Sequence, residues 1–193
     1  MTLRQRIGKK RTLIVEGGID VDLIKKEIDK EVDNHYNWKE PGLCQIILQG
    51  IKEGDSPFFG ARTGKEIEDA GYTERDFVVD LFPDMVYTNG LIRKLKMYRS
   101  RLMLLLPKTC LSWHKDPSMR MHIPISGDSD SFHLIEDTQG NKVVHQIKPG
   151  FAHLMDTEVM HSGINLSKKV ERLHIVGCID AVSYTHLTLP TKA

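Results

Sequence analysis

The chain has 193 residues, with 27 Lys+Arg against 26 Asp+Glu, a net charge of +1 and 40% hydrophobic residues. That length supports one core without disulfides or a structural metal, and the balanced charge argues against a nucleic-acid partner, which would need a basic excess on one face. No apolar run approaches the ~20 residues of a membrane span and the N-terminus lacks an apolar signal region, so no membrane partner and a cytoplasmic protein are expected.

The basic cluster Arg4, Arg6, Lys9, Lys10 and Arg11 reads as a solvated terminus. Residues 11–15 suit a short strand that Gly17-Gly18 breaks. Asp20 can then cap a helix in which Ile24, Ile28 and Val32 recur every four residues on one face, while Lys25, Lys26, Asp29 and Lys30 stay in water. Residues 43–48 suggest a second strand. Residues 64–70 and 88–95 suggest two short helices, the latter capped by Thr88.

From Met97 onward the period changes to two. Tyr98, Ser100, Leu102, Leu104 and Leu106 share one face of a strand that Pro107 ends, and Met119, Met121, Ile123 and Ile125 alternate with Arg120 and His122 on the next. Further strands are expected at residues 131–136, 142–147, 152–155 and 173–179, separated by turns at 138–141, 148–150 and 165–167. So many short strands imply a sandwich or jelly roll. The expectation is a mainly β fold with a helical N-terminal half: one domain over residues 1–181, with an α/β part at 11–95 packed on a β core at 97–180. Residues 182–193 have neither period and resemble appended, non-native sequence, so His186 is not a ligand candidate. Cys44, Cys110 and Cys178 are odd in number and widely spaced, as expected of reduced thiols packed in a core.

The chemistry concentrates in Trp113-His114-Lys115-Asp116, answered by His161 and Arg172. Residues i and i+2 of an extended segment project to one face, so His114 and Asp116 can reach one metal while Lys115 points away. His161, at the end of an apolar strand, is the third candidate. Two histidines and one carboxylate form the facial triad of non-haem Fe(II) oxygenases, with positions left open for a co-substrate and O2. Asp156 competes as a carboxylate and reads as an orienting partner of an imidazole or as a turn residue. Arg172 shares a strand face with His174, Val176 and Cys178. If that face is buried, its charge requires an anion, and its planar fork suits a carboxylate; an ion pair with Glu171 at the strand end is the simpler role. Arg120 and His122 either line a solvated face or supply donors at the other end of a small dicarboxylate.

Leu106-Pro107, Trp113-His114, Arg120-Met121-His122, Lys148-Pro149-Gly150 and the stretch from His161 to Arg172 resemble the aspartyl/asparaginyl β-hydroxylase family of Fe(II)/2-oxoglutarate dioxygenases. The resemblance covers residues 97–180. It implies a double-stranded β-helix of the cupin-like, jelly-roll kind, with Fe(II) on His114, Asp116 and His161. It also implies that 2-oxoglutarate, held by Arg172, Arg120 and His122, is oxidised with O2 to succinate and CO2 while an amino acid or peptide side chain is hydroxylated. The animal peptidyl hydroxylases of the family lack the acidic ligand that Asp116 supplies here, and Met103 stands where they have a co-substrate-binding Ser. A cupin-like module that binds metal or senses a ligand without turnover would carry many of the same residues. The sequence leaves the oligomeric state open.

Overall fold

The computed structural model describes residues 7–8, 11–41 and 44–180. Arg4, Arg6, Lys9, Lys10, Leu43 at the start of the second expected strand, and the segment 182–193 lie outside them.

The described elements run β1 (Thr12–Gly17), α1 (Val21–Ile28), β2 (Gln45–Ile47), β3 (Gln49–Gly50), α2 (Gly64–Asp69), β4 (Val79–Asp80), α3 (Val86–Lys94), β5 (Met97–Leu105), β6 (Thr109–Cys110), β7 (Arg120–Ser126), β8 (Ser131–Glu136), β9 (Lys142–His145), β10 (Phe151–Met155), β11 (His161–Asn165) and β12 (Arg172–Ile179). A π-helical turn at Asp29–Asp33 extends α1, and a 3-10 turn lies at Glu74–Asp76.

The fold is mainly β. From β5 onward the chain crosses back and forth between a six-stranded sheet ordered β1-β10-β7-β12-β5-β2 and a four-stranded sheet ordered β6-β11-β8-β9. β5, β7, β10 and β12 enter the large sheet, and β6, β8, β9 and β11 the small one, all in antiparallel pairs. That alternation is the winding of a double-stranded β-helix, the jelly-roll class expected from the strand pattern.

The large sheet turns its two faces to different environments. Its outer face carries Met121, Ile123, Leu154 and Ile175, which join Ile24, Ile28, Val32 and Trp38 of the N-terminal half in one buried apolar cluster. The α1 stripe therefore faces the sheet. Each such aliphatic side chain contributes roughly 1.5–3 kcal/mol on full burial. Asp20 caps α1 as expected, its Oδ1 accepting from Leu23 N at 2.9 Å. The inner face is polar: Arg120, His122, Arg172 and His174 are all buried between the sheets.

Several details depart from the sequence reading. Thr88 lies inside α3 rather than capping it. The cap function falls to Glu27 of α1, whose carboxylate accepts from Tyr87 N at 2.8 Å, Thr88 N at 2.9 Å and Thr88 Oγ1 at 2.6 Å. A carboxylate from another helix can meet the exposed amides of a helix start as well as a local side chain can. Asp156 is buried and paired with Arg11 at 2.6 Å, so it is a structural anchor rather than a turn residue, and Arg11 is not part of a loose terminus. Of the cysteines only Cys178 is core; Cys44 is half-buried and Cys110 exposed. No described helix is long and apolar enough to cross a membrane.

Candidate active site

The segment before β7 carries His114 and Asp116 past the start of β11. His114 and His161 form a single antiparallel bridge in which His114 N donates to His161 O at 3.1 Å and His161 N to His114 O at 2.8 Å. Asp116 is fixed by its own amide, which donates to Thr157 O at 2.8 Å. Extended backbone on both sides of the bridge thus puts the three side chains together. Asp116 Oδ1 lies 3.8 Å from His114 Nε2, and Oδ2 lies 3.7 Å from His161 Nε2.

Both imidazoles present the nitrogen that a metal would need. His114 Nδ1 faces Ser112 O at 2.7 Å and His161 Nδ1 faces Val159 O at 3.0 Å, contacts that place the proton on Nδ1 and leave each Nε2 lone pair free. Burial holds the His161 pKa below the ordinary histidine value, which keeps the ring neutral at pH 7. The three donor atoms lie within 4.8 Å of one another. Ligands of a six-coordinate ion with bonds of ~2.1 Å sit ~3.0 Å apart when adjacent, so the three donors would draw together by roughly 1–2 Å to share one ion.

Behind Asp116 stands Arg120, almost fully buried. It donates from Nε to Asp116 Oδ2 at 3.2 Å, from Nη1 and Nη2 to Glu74 at 3.1 and 3.0 Å, and from Nη1 to Ser118 Oγ at 2.7 Å. Its donors are committed to the protein, so the structure places it as a brace of the carboxylate. Glu74 also pairs with Arg99. Burial pushes the Glu74 carboxyl up, but the Arg120 and Arg99 charges outweigh it and hold the group below the usual carboxylate range. Sequence patterns gave no hint of Glu74, which comes from a short turn 46 positions before Arg120.

Arg172 lies deeper in the barrel. It is 4% exposed, and no carboxylate among the described residues lies within ion-pair distance of it; Nη2 donates instead to His133 Nε2 at 2.6 Å. The Glu171 pairing that the sequence allowed is not formed. Burial lowers the Arg172 pKa to about 9, so at neutral pH the group is still a buried cation. Around it stand His122, His133 and His174, with ring centroids 4.8–5.9 Å apart. Burial first and then the Arg172 charge hold all three well below the ordinary histidine range. Both nitrogens of His122 and Nδ1 of His174 are buried without a hydrogen-bond partner.

This second histidine group could also bracket a metal by distance alone. Its charge environment argues otherwise. A guanidinium already occupies the His133 nitrogen and would repel a cation, whereas neutral imidazoles with free nitrogens beside an unpaired guanidinium make a receptor for an anion.

Two cavities meet at the triad. An outer one of about 710 Å³ is lined by His114, Lys115, Asp116 and side chains of the Arg62–Arg75 region. A narrow inner one of about 40 Å³ continues past His161 to His122, His133 and Arg172. Arg101, Met103, Leu111, His114, Asp116 and Arg120 line both. The inner arm as it stands has room for about three waters. A third cavity of about 360 Å³ reaches Arg172 and His174 from the opposite end.

No family model matches the chain, and no curated protein matches it either. Among solved structures, it is similar to AviO1 from Streptomyces viridochromogenes Tue57 at 11% identity and a TM-score of 0.49, over 96% of each chain. A Pseudomonas putida prolyl-4-hydroxylase aligns at 12% identity and a TM-score of 0.47, over 87% of this chain and 91% of its own. A cupin domain from Bordetella pertussis Tohama I aligns at 21% identity and a TM-score of 0.35, over 42% of this chain and 80% of its own.

Proposed function

We propose that the protein is an Fe(II)- and 2-oxoglutarate-dependent dioxygenase that hydroxylates an amino acid or peptide side chain. One observation carries the reading: a two-His-one-carboxylate cluster and a buried guanidinium without a carboxylate line one narrow cavity. The first suits ferrous iron. The second suits an anion reaching inward from it, as a dicarboxylate co-substrate would. The resemblance of residues 97–180 to the aspartyl/asparaginyl β-hydroxylase family supports the same assignment.

When bound, iron with 2-oxoglutarate and O2 supplies the oxidising power for C–H hydroxylation, with succinate and CO2 as co-products. The chain's own residues do the rest. His114 and His161 hold their Nε2 atoms toward the metal position through backbone contacts at Nδ1. Arg120 fixes the orientation of Asp116, acting as a positioning residue. Arg172 receives the far carboxylate of the co-substrate, and the free nitrogens of His122 and His174 offer further hydrogen bonds around it. The outer cavity, about 710 Å³, receives the substrate on the exposed side of the triad.

The test is turnover of 2-oxoglutarate to succinate by purified protein, which occurs slowly without substrate in enzymes of this chemistry. Succinate should form only with Fe(II) and O2 both present and should be lost in His161→Ala. Succinate formation that persists in that variant, or never appears in iron-loaded wild type, overturns the assignment. A metal-binding module without turnover would load iron and leave 2-oxoglutarate intact.

A further inference from the structure

The outer cavity is strongly cationic. Six side chains that line it are basic, Arg62, Arg75, Arg99, Arg101, Lys115 and Arg120, against three carboxylates, Glu68, Glu74 and Asp116. Most of the interior charge is already balanced: Arg99 and Arg120 share Glu74, Arg120 also holds Asp116, and Arg75 pairs with Asp180 outside the cavity. Arg101 differs. It sits on β5 between β12 and β2, is 8% exposed, and donates through Nη1 only to the carbonyls of Ala61 at 3.1 Å and Arg62 at 3.3 Å. Among the described residues no carboxylate lies within ion-pair distance of it. Two carbonyl dipoles do not neutralise a buried charge, and a cation held this way is costly unless an anion arrives.

Its position gives the cost a purpose. Arg101 lines both cavities at the neck where His114 and Asp116 stand. We propose that the substrate carries an oxyanion, a carboxylate or a phosphate-type group, which docks on Arg101 at the floor of the outer cavity beside the metal position. Held there, the anion fixes one end of the substrate and determines which carbon faces the triad. Arg101 is thus a specificity residue distinct from Arg172: one guanidinium for the substrate, the other for the co-substrate. This rests on the dioxygenase reading for the meaning of the site, though not for the existence of an anion subsite at Arg101.

The experiment titrates inorganic phosphate, acetate and the neutral control acetamide, at constant ionic strength, into protein loaded with Mn(II) and saturating 2-oxoglutarate, read by calorimetry. At least one anion should bind saturably and acetamide should not. Phosphate alone indicates a phosphorylated substrate; acetate, with or without phosphate, indicates a carboxylate. Arg101→Gln should weaken the anion by at least about tenfold, the value of one charge-assisted hydrogen bond, while 2-oxoglutarate affinity stays within about twofold. Arg101→Lys, which keeps the charge, should retain saturable binding even where Arg101→Gln melts too low to study. The proposal is overturned if neither anion saturates wild type, if Arg101→Gln binds it equally, or if the anion and 2-oxoglutarate exclude each other. Should Mn(II) or 2-oxoglutarate itself fail to bind, the dioxygenase reading falls. The same titration on metal-free protein, compared with Arg101→Gln, then still decides the anion subsite.

Discussion

His114 and His161, 47 positions apart in sequence, face each other across one isolated antiparallel bridge, with ring centroids 4.4 Å apart. The backbone of each donates to the other, so the pair is held without any contribution from its Nε2 atoms. Truncating either ring should remove a metal ligand and leave the bridge in place. His114→Ala and His161→Ala are each expected to lower Fe(II) or Mn(II) affinity by at least about a hundredfold, as befits loss of one of three ligands. The melting temperature of the metal-free protein should move little. Calorimetric metal titration with parallel thermal melts measures both.

Arg172 gives the opposite pattern. A buried cation without a carboxylate costs stability, and replacing it with an apolar side chain of similar length is often neutral or stabilising. Arg172→Met should therefore leave the free protein as stable as wild type or more so, while 2-oxoglutarate binding falls by about a hundredfold. In wild type with metal, 2-oxoglutarate at a hundred times its Kd should stabilise by about 2.7 kcal/mol, a rise of roughly 5–10 °C for a chain of this size. Thermal melts of both proteins, with and without the co-substrate, provide the measurement.

Gly163 on β11 makes room for that guanidinium. A Cβ built there would stand 3.2 Å from Arg172 Nη1, tighter than ordinary packing. Gly163→Ala should push Arg172 aside and weaken 2-oxoglutarate several-fold, with metal affinity unchanged; Gly163→Val should do so more strongly. A metal titration beside a co-substrate titration separates the two effects.

The strand core was legible in sequence because its period of two survives folding: β8 spans the expected 131–136, and the Met121, Ile123 and Ile125 face of β7 is buried. So was the His-x-Asp segment. β11 carries no local signal, because His-Ser-Gly-Ile-Asn has neither apolar alternation nor a β-branched run; its strand character comes from pairing with β8. Glu74 and His133 were invisible for a related reason. Each matters through partners 46 and 39 positions away, and no local spacing encodes such a contact. Thr88 has the chemistry of a cap without the role, because the acceptor for the α3 amides comes from Glu27 on α1.

The histidine group predicts a pH response. His122, His133 and His174 are held neutral, with folded pKa values well below that of an unfolded histidine, ~6.5. Between those values the unfolded chain binds more protons than the folded one, so stability rises with pH across that window and is lost as the pH falls below about 6.5. The three together can steepen the loss by up to roughly 4 kcal/mol per pH unit. Urea melts from pH 7.5 to 5 should show this slope, and it should diminish in a His133→Gln variant.

On the proposed reading, one small cavity takes both a ferrous ion and a chelating dicarboxylate. Anaerobic titration of the protein with Fe(II) and then 2-oxoglutarate tests this double occupancy through the weak visible absorption that appears when the co-substrate chelates bound iron. A band should appear that saturates with one equivalent of each and is absent in both His161→Ala and Arg172→Met at the same concentrations. Fully iron-loaded wild-type protein that shows no such band on adding excess 2-oxoglutarate would rule out the shared site.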